Sequence, residues 1–178
     1  MSNWEKILKP IVVLGAICIV ITGALAATNS VTKPIIDEAT VAAQNAARNE
    51  LLPEAEGNFT PVDGIVVENV DDVYAADNGT GYVITSNSKG YGGTITVMSS
   101  FTPDGAIKQV KVTEAQETPG FGSNVTDTPS YWERYFGQSA SKPLVLGQDI
   151  DGHAGATISS KAMLRAVNSA IDAYNAIP

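Results

Sequence analysis

The chain has 178 residues, 44% of them hydrophobic and 17% charged, which excludes disorder as its main state and suits one compact core. Nineteen acidic residues against eleven basic ones give a formal charge of −8, an excess that repels polyanions and argues against a nucleic-acid partner. Cys18 is the single cysteine, so an intrachain disulfide framework, a CxxC redox pair and a self-contained iron–sulfur or zinc-thiolate site are ruled out.

No charged residue falls between Lys9 and Lys33, and Ile11 to Ala27 reads IVVLGAICIVITGALAA. With its flanks, that run can cross about 30 Å of hydrocarbon, so a transmembrane helix is expected over 10–32. Lys6 and Lys9 precede it, while the chain from Thr28 onward carries nine basic and eighteen acidic residues. Retention of positive charge inside then places residues 1–9 in the cytoplasm, with a single pass of the cell membrane and an extracytoplasmic C-terminal domain. A cleaved signal peptide is the rival, because Ala24-Leu25-Ala26 offers a small-x-small site; the apolar length favours an uncleaved anchor. Ile17 before Cys18 disfavours lipoprotein processing, and Cys18 reads as a small apolar residue.

Residues 33–60 are predicted to form a stalk helix and linker. Ile35, Ile36, Ala39, Ala42, Ala43 and Ala46 recur at helical spacings, and Pro53 ends the pattern. The domain proper is expected over 61–178. VDGIVVENV, VYAAD, GYVITSN, GTITVMSSF and AIKQVKVTE are short β-rich runs, and DNGTG, SKGYGG and TPDG supply turns for antiparallel hairpins. Asp127-Thr128-Pro129 offers an N-cap and a first-turn proline for a short helix through Tyr131, Trp132 and Tyr135, stopped at Gly137. Those aromatics, with Phe136, read as helix-to-sheet packing. Ile158 to Ala176 carries Met163, Leu164, Val167, Ala170, Ile171 and Tyr174 as a 3.6-period stripe that would lie on the sheet. The fold class is α+β: an N-terminal transmembrane helix, then a helix-covered antiparallel sheet.

Two segments could carry chemistry. In DIDGHAGATISSK, 149–161, Asp149 and Asp151 resemble the opening of a calcium loop, but Ser160 falls where a bidentate Glu is needed. As an anion site, Gly155, Ala156 and Thr157 bring unpaired N–H groups and the positive end of a helix dipole together, beside the Ser159 and Ser160 hydroxyls. The plainer alternative is that Thr157 merely caps the helix. In ETPGFG, 117–122, proline fixes one turn and two glycines let the backbone approach a flat ligand, although an ordinary loop after the last strand has the same turn chemistry. His153 lacks a second imidazole with which to share a metal. Lys161, one turn beyond Thr157, reads as a solvated surface lysine.

The stretch Asp151-Gly152-His153-Ala154-Gly155-Ala156-Thr157 resembles the flavinylation motif of the FMN-binding domain family, with Ala154 where that family usually has Ser or Thr. KGYGGTITVM at 89–98 and ETPGFG at 117–122 extend the resemblance. Together with the membrane anchor, the layout is similar to the RnfG family of Rnf-type electron-transport complexes. The related C subunit of the sodium-pumping NADH:quinone oxidoreductase is usually longer. The resemblance implies FMN joined through a phosphoester to Thr157, with Asp151 and Gly152 in the motif recognised by a Mg-dependent flavin transferase. Glu117, Thr118, Gly120, Gly122, Gly155, Ala156, Ser159 and Ser160 would then lie about the cofactor. It further implies a redox subunit without complete activity alone, working with other Rnf-type membrane subunits in the lipid bilayer. Such a complex couples electron flow from ferredoxin to NAD⁺ with Na⁺ or H⁺ transport. The chain has no GxGxxG turn, P-loop or cysteine cluster of its own, which fits one relay station within a larger enzyme. Two alternatives are a free-standing extracytoplasmic FMN-binding reductase component or sensor, and a pilin-like structural protein, which would carry no chromophore.

Overall fold

The structure is a computed structural model that describes residues 8–178; Lys6 and most of the expected 1–9 segment lie outside them. Helix α1 runs from Lys9 to Leu51 without interruption. Its 43 residues rise about 64 Å, roughly twice the hydrocarbon thickness. The expected membrane and stalk helices are thus one helix. Pro34 lies inside it and deprives the Ser30 carbonyl of its intrahelical donor. The helix is long and apolar enough to cross a membrane, and α1 is a candidate membrane span.

Two compact units divide the chain at Gln44/Asn45, so the last turns of α1 belong to the folded domain, upstream of the boundary expected at 61. The domain holds five strands, β1 (Phe59–Pro61), β2 (Val70–Ala76), β3 (Tyr82–Lys89), β4 (Thr94–Phe101) and β5 (Ile107–Glu114). They form an antiparallel meander in the order β1-β2-β3-β4-β5. Three of the predicted runs become β3, β4 and β5, and VYAAD supplies the second half of β2. Of VDGIVVENV only Val70 is in a strand, as the first residue of β2. Gly64 and Asn69 take positive φ, which breaks the pleat, and Val62, Ile65 and Val67 pack on the core from an irregular segment. The strand that edges the sheet beside β2 is instead the three-residue β1.

Alternation along the strands gives the sheet two buried faces. Ile84, Ile95, Val97 and Phe101 join the larger core with helix α4 (Thr157–Asn175), whose Met163, Val167, Ala170 and Ile171 are fully buried. Val83 and Met98 face the opposite side and pack with Ala47, Leu51, Leu52 and Ala55. Polar groups fix both layers. Ser86 Oγ donates to the Ala166 carbonyl at 2.8 Å, and Ser100 Oγ donates to the Leu51 carbonyl at 2.9 Å. Arg48 is buried, with its guanidinium 3.7 Å from the centre of the Tyr74 ring and 3.6 Å from Asp72.

Between β5 and α4 lie two single-turn helices, α2 (Ser123–Thr126), which the sequence patterns did not suggest, and α3 (Pro129–Trp132), continued by a 3₁₀ turn to Tyr135. Thr128 occupies the N-cap position of α3 with Pro129 in the first turn, as the sequence predicts, and the Asp127 carboxylate accepts from Thr126 Oγ1. Gly137 follows with φ +76°. Tyr131 and Tyr135 are buried and Trp132 packs against the core, as expected; burial pushes the Tyr135 phenol well above its ordinary pKa. Phe136 departs from that expectation at 39% exposure.

Candidate functional site

Three segments distant in sequence meet at one end of the sheet: the β3–β4 turn, the loop from Glu117 to Gly122, and the start of α4. They enclose a cleft of about 520 Å³, within the roughly 300–1,000 Å³ typical of small-molecule sites. Its walls are Tyr91 from the turn, Thr118, Phe121 and Gly122 from the loop, and Gly155 to Ser159 from the helix start. Tyr91, Phe121 and Ile158 are 70%, 61% and 53% exposed, so much of the apolar lining faces the opening.

Thr157 is the first residue inside α4, and Ala156 holds the N-cap position. The capping explanation for Thr157 therefore fails: its side chain is exposed on the cleft wall and is not used to cap the helix. Gly155 takes φ +83°, the left-handed conformation that turns the chain into the helix. The first-turn N–H groups of Thr157, Ile158 and Ser159 have no partners in the helical ladder and lie at its positive end. An exposed hydroxyl, unpaired donors and apolar aromatic rims suit a ligand that is anionic at one end and flat and apolar at the other.

The other expected site residues divide into two groups. Thr118, Gly122, Gly155, Ala156 and Ser159 line the cleft with Thr157. Glu117, Gly120, Ser160, Asp151 and Gly152 do not. Ser160 is fully buried, and its Oγ accepts the His153 backbone N–H at 3.0 Å. Ser159 Oγ donates to Glu117 Oε2 at 2.9 Å, so its proton points away from an anion at the helix start. Gly120 has φ +78° and open space where a Cβ would stand; conformation, not close approach, explains that glycine. The Asp151 carbonyl accepts from Arg134 at 2.8 Å, and a Cβ at Gly152 would stand in ordinary contact with Leu146. Asp149 Oδ2 accepts the Val145 N–H at 2.8 Å and Oδ1 lies 3.7 Å from Lys142, which gives this carboxylate a local structural role. Lys161 is exposed, as expected. Sequence reasoning did not assign Tyr91, Phe121 or Ile158 to the site. The signal for the first two was an aromatic residue set among glycines in each of the two recognised turns.

Residues 90–172 match the FMN-binding domain family, and residues 1–51 match the RnfG N-terminal region. The G subunit of the Na(+)-translocating ferredoxin:NAD(+) oxidoreductase complex of Acetobacterium woodii is 31% identical, over 97% of this chain and 93% of that one. The G subunit of the ion-translocating oxidoreductase complex of Methanosarcina acetivorans is 30% identical, over 99% and 98% of the two chains. Its counterpart in the proton-translocating ferredoxin:NAD(+) oxidoreductase complex of Clostridium ljungdahlii is 31% identical, over 83% and 80%. Among solved structures, Shewanella oneidensis NqrC is similar at 25% identity and a TM-score of 0.46, over 62% of each chain.

Proposed function

The chain belongs to the RnfG family of ion-translocating oxidoreductase complexes, and from that membership we propose that it relays electrons through an FMN held covalently on Thr157. It works as the membrane-tethered redox subunit of an Rnf-type ferredoxin:NAD⁺ oxidoreductase whose electron flow drives Na⁺ or H⁺ transport. One observation carries the attachment: Thr157 stands exposed at the first position of α4, on the wall of a cleft about 520 Å³ in volume.

When bound, FMN supplies reversible uptake and release of electrons, which the side chains of this chain lack. Thr157 Oγ1 would hold the flavin phosphate as a phosphoester. The unpaired N–H groups of Thr157 and Ile158 would stabilise its remaining negative charge, an interaction worth about 0.3–1 kcal/mol at an exposed helix N-terminus. Tyr91, Phe121 and Ile158 offer apolar surface to the ring, and Thr118 and Gly122 line the same cleft. Covalent attachment removes cofactor loss by dissociation, which suits a domain exposed to a compartment poor in free FMN. A Mg-dependent flavin transferase would load the cofactor, and other Rnf-type membrane subunits would supply and accept its electrons.

With α1 as an uncleaved anchor in the cell membrane lipid, Lys6 and Lys9 before the apolar run favour a cytoplasmic N-terminus and an extracytoplasmic cleft. A place within a complex is favoured over a free-standing reductase component because the match to RnfG relatives includes the N-terminal region. Denaturing electrophoresis of protein from its native host, viewed under ultraviolet light, tests the cofactor. A fluorescent band at the mass of the chain is expected, and a dark band would contradict covalent flavin.

A further inference from the structure

Glu117 does not line the cleft, and its carboxylate is engaged on both oxygens. Oε1 accepts the backbone N–H of Tyr91 at 2.9 Å and that of Gly92 at 3.3 Å. Oε2 accepts the Ser159 hydroxyl at 2.9 Å. One side chain thereby joins the β3–β4 turn, its own loop and the first turn of α4, the three segments that form the cleft. The surrounding glycines are shaped to it. A Cβ at Gly90 would overlap Oε1, one at Gly122 would overlap Oε2, and one at Gly92 would overlap the Gln116 carbonyl oxygen. None of these three glycines has positive φ, and Gly122 sits at φ −61°, ψ −32°, where any residue is comfortable. Backbone conformation therefore does not explain them; close approach to the Glu117 segment does.

We propose that Glu117 is the positioning residue of the flavin cleft: its carboxylate clasps the turn bearing Tyr91 to the helix start bearing Thr157, and so fixes the ring wall relative to the attachment point. The inference rests on the FMN reading for the identity of the ligand, but the clasp is a property of the chain itself. Glutamine preserves it, since its carbonyl oxygen can still accept both backbone N–H groups while its amide donates to Ser159 Oγ. Alanine removes it.

The test uses the full chain in detergent, prepared both without a flavin transferase and with one, as wild type and as Glu117→Ala, Glu117→Gln and Ser159→Ala. In the flavin-free chain, amide exchange at Tyr91 and Gly92 should quicken roughly tenfold in Glu117→Ala and stay near wild type in Glu117→Gln. In the flavin-loaded chain, the visible circular dichroism of the flavin should be reshaped by Glu117→Ala and retained by Glu117→Gln. Ser159→Ala cuts only the helix arm and should reshape that band as well, which keeps the test decisive if Glu117→Ala does not fold. Wild-type exchange and dichroism in Glu117→Ala would overturn the clasp, as would a glutamine variant as impaired as alanine. So would a Ser159→Ala chain with an unaltered flavin band. A wild-type chain that acquires no flavin from the transferase would instead remove the FMN reading, leaving the exchange data to judge the clasp.

Discussion

Ser160 Oγ accepts the His153 backbone N–H at 3.0 Å, and this bond ties the glycine-containing loop before α4 onto the helix that the loop initiates. Ser160 is fully buried, so its hydroxyl does not face the cleft where an anion would sit. Its place in the motif therefore reflects support of the loop and not contact with an anion.

Ser160→Ala should destabilise the domain by about 1–3 kcal/mol, because it leaves a part-buried N–H without its acceptor. It should also slow flavin attachment by loosening Gly155 and Ala156. Thermal unfolding and the fraction of flavin-loaded chain measure the two effects. An unchanged midpoint with full loading would show that the bond is dispensable.

Gly122→Ala places a Cβ against the Glu117 carboxylate at a backbone conformation alanine tolerates. Overpacking of this kind costs about 1–3 kcal/mol. The cost should fall sharply in a Glu117→Ala background, and the double-mutant cycle reads the coupling directly. Additive effects would mean that Gly122 is required for another reason. Gly120→Ala, by contrast, carries only the strain of its positive φ and should couple to nothing.

The reduction potential of the flavin should rise in Glu117→Gln. A carboxylate near the ring disfavours electron uptake, so removing one negative charge while the three hydrogen bonds persist makes uptake easier. A redox titration checks the sign. A lowered potential would show that the substitution moves the loop instead of only removing its charge.

Topology gives a separate expectation. Protease added to right-side-out membranes should cut the exposed helical stretch between about Lys33 and Gln44, because the compact unit starts at Asn45 and resists cleavage. Protection until the membrane is opened would reverse the orientation. A mature chain beginning at Ala27 would show that the apolar run is a signal peptide.

Much of this architecture is legible in local patterns. The stripe Met163, Val167, Ala170 and Ile171 identifies α4 within one residue at each end, and alternation with turn signals finds β3, β4 and β5. VDGIVVENV misleads because its apolar residues pack on the core from an irregular segment, and only the positive φ of Gly64 and Asn69 reveals this. The motifs holding Thr157 and Glu117 are visible as motifs, but the division of labour within them is not. Glu117 meets Ser159 across 42 positions and Tyr91 across 26, and such pairings leave no trace in local spacing. Arg48 is hidden for a similar reason, since an arginine at the end of a helix gives no sign that Tyr74 and Asp72 will cover it.

The most direct measurement is the intact mass of the chain purified from a host with the flavin transferase, for wild type and Thr157→Ala. Wild type should exceed its sequence mass by one FMN less one water. Thr157→Ala should show the bare mass and, because the hydroxyl caps nothing, an unfolding midpoint close to that of flavin-free wild type. A wild-type chain at its bare mass, or a Thr157→Ala chain that keeps the increment, would contradict covalent FMN on Thr157.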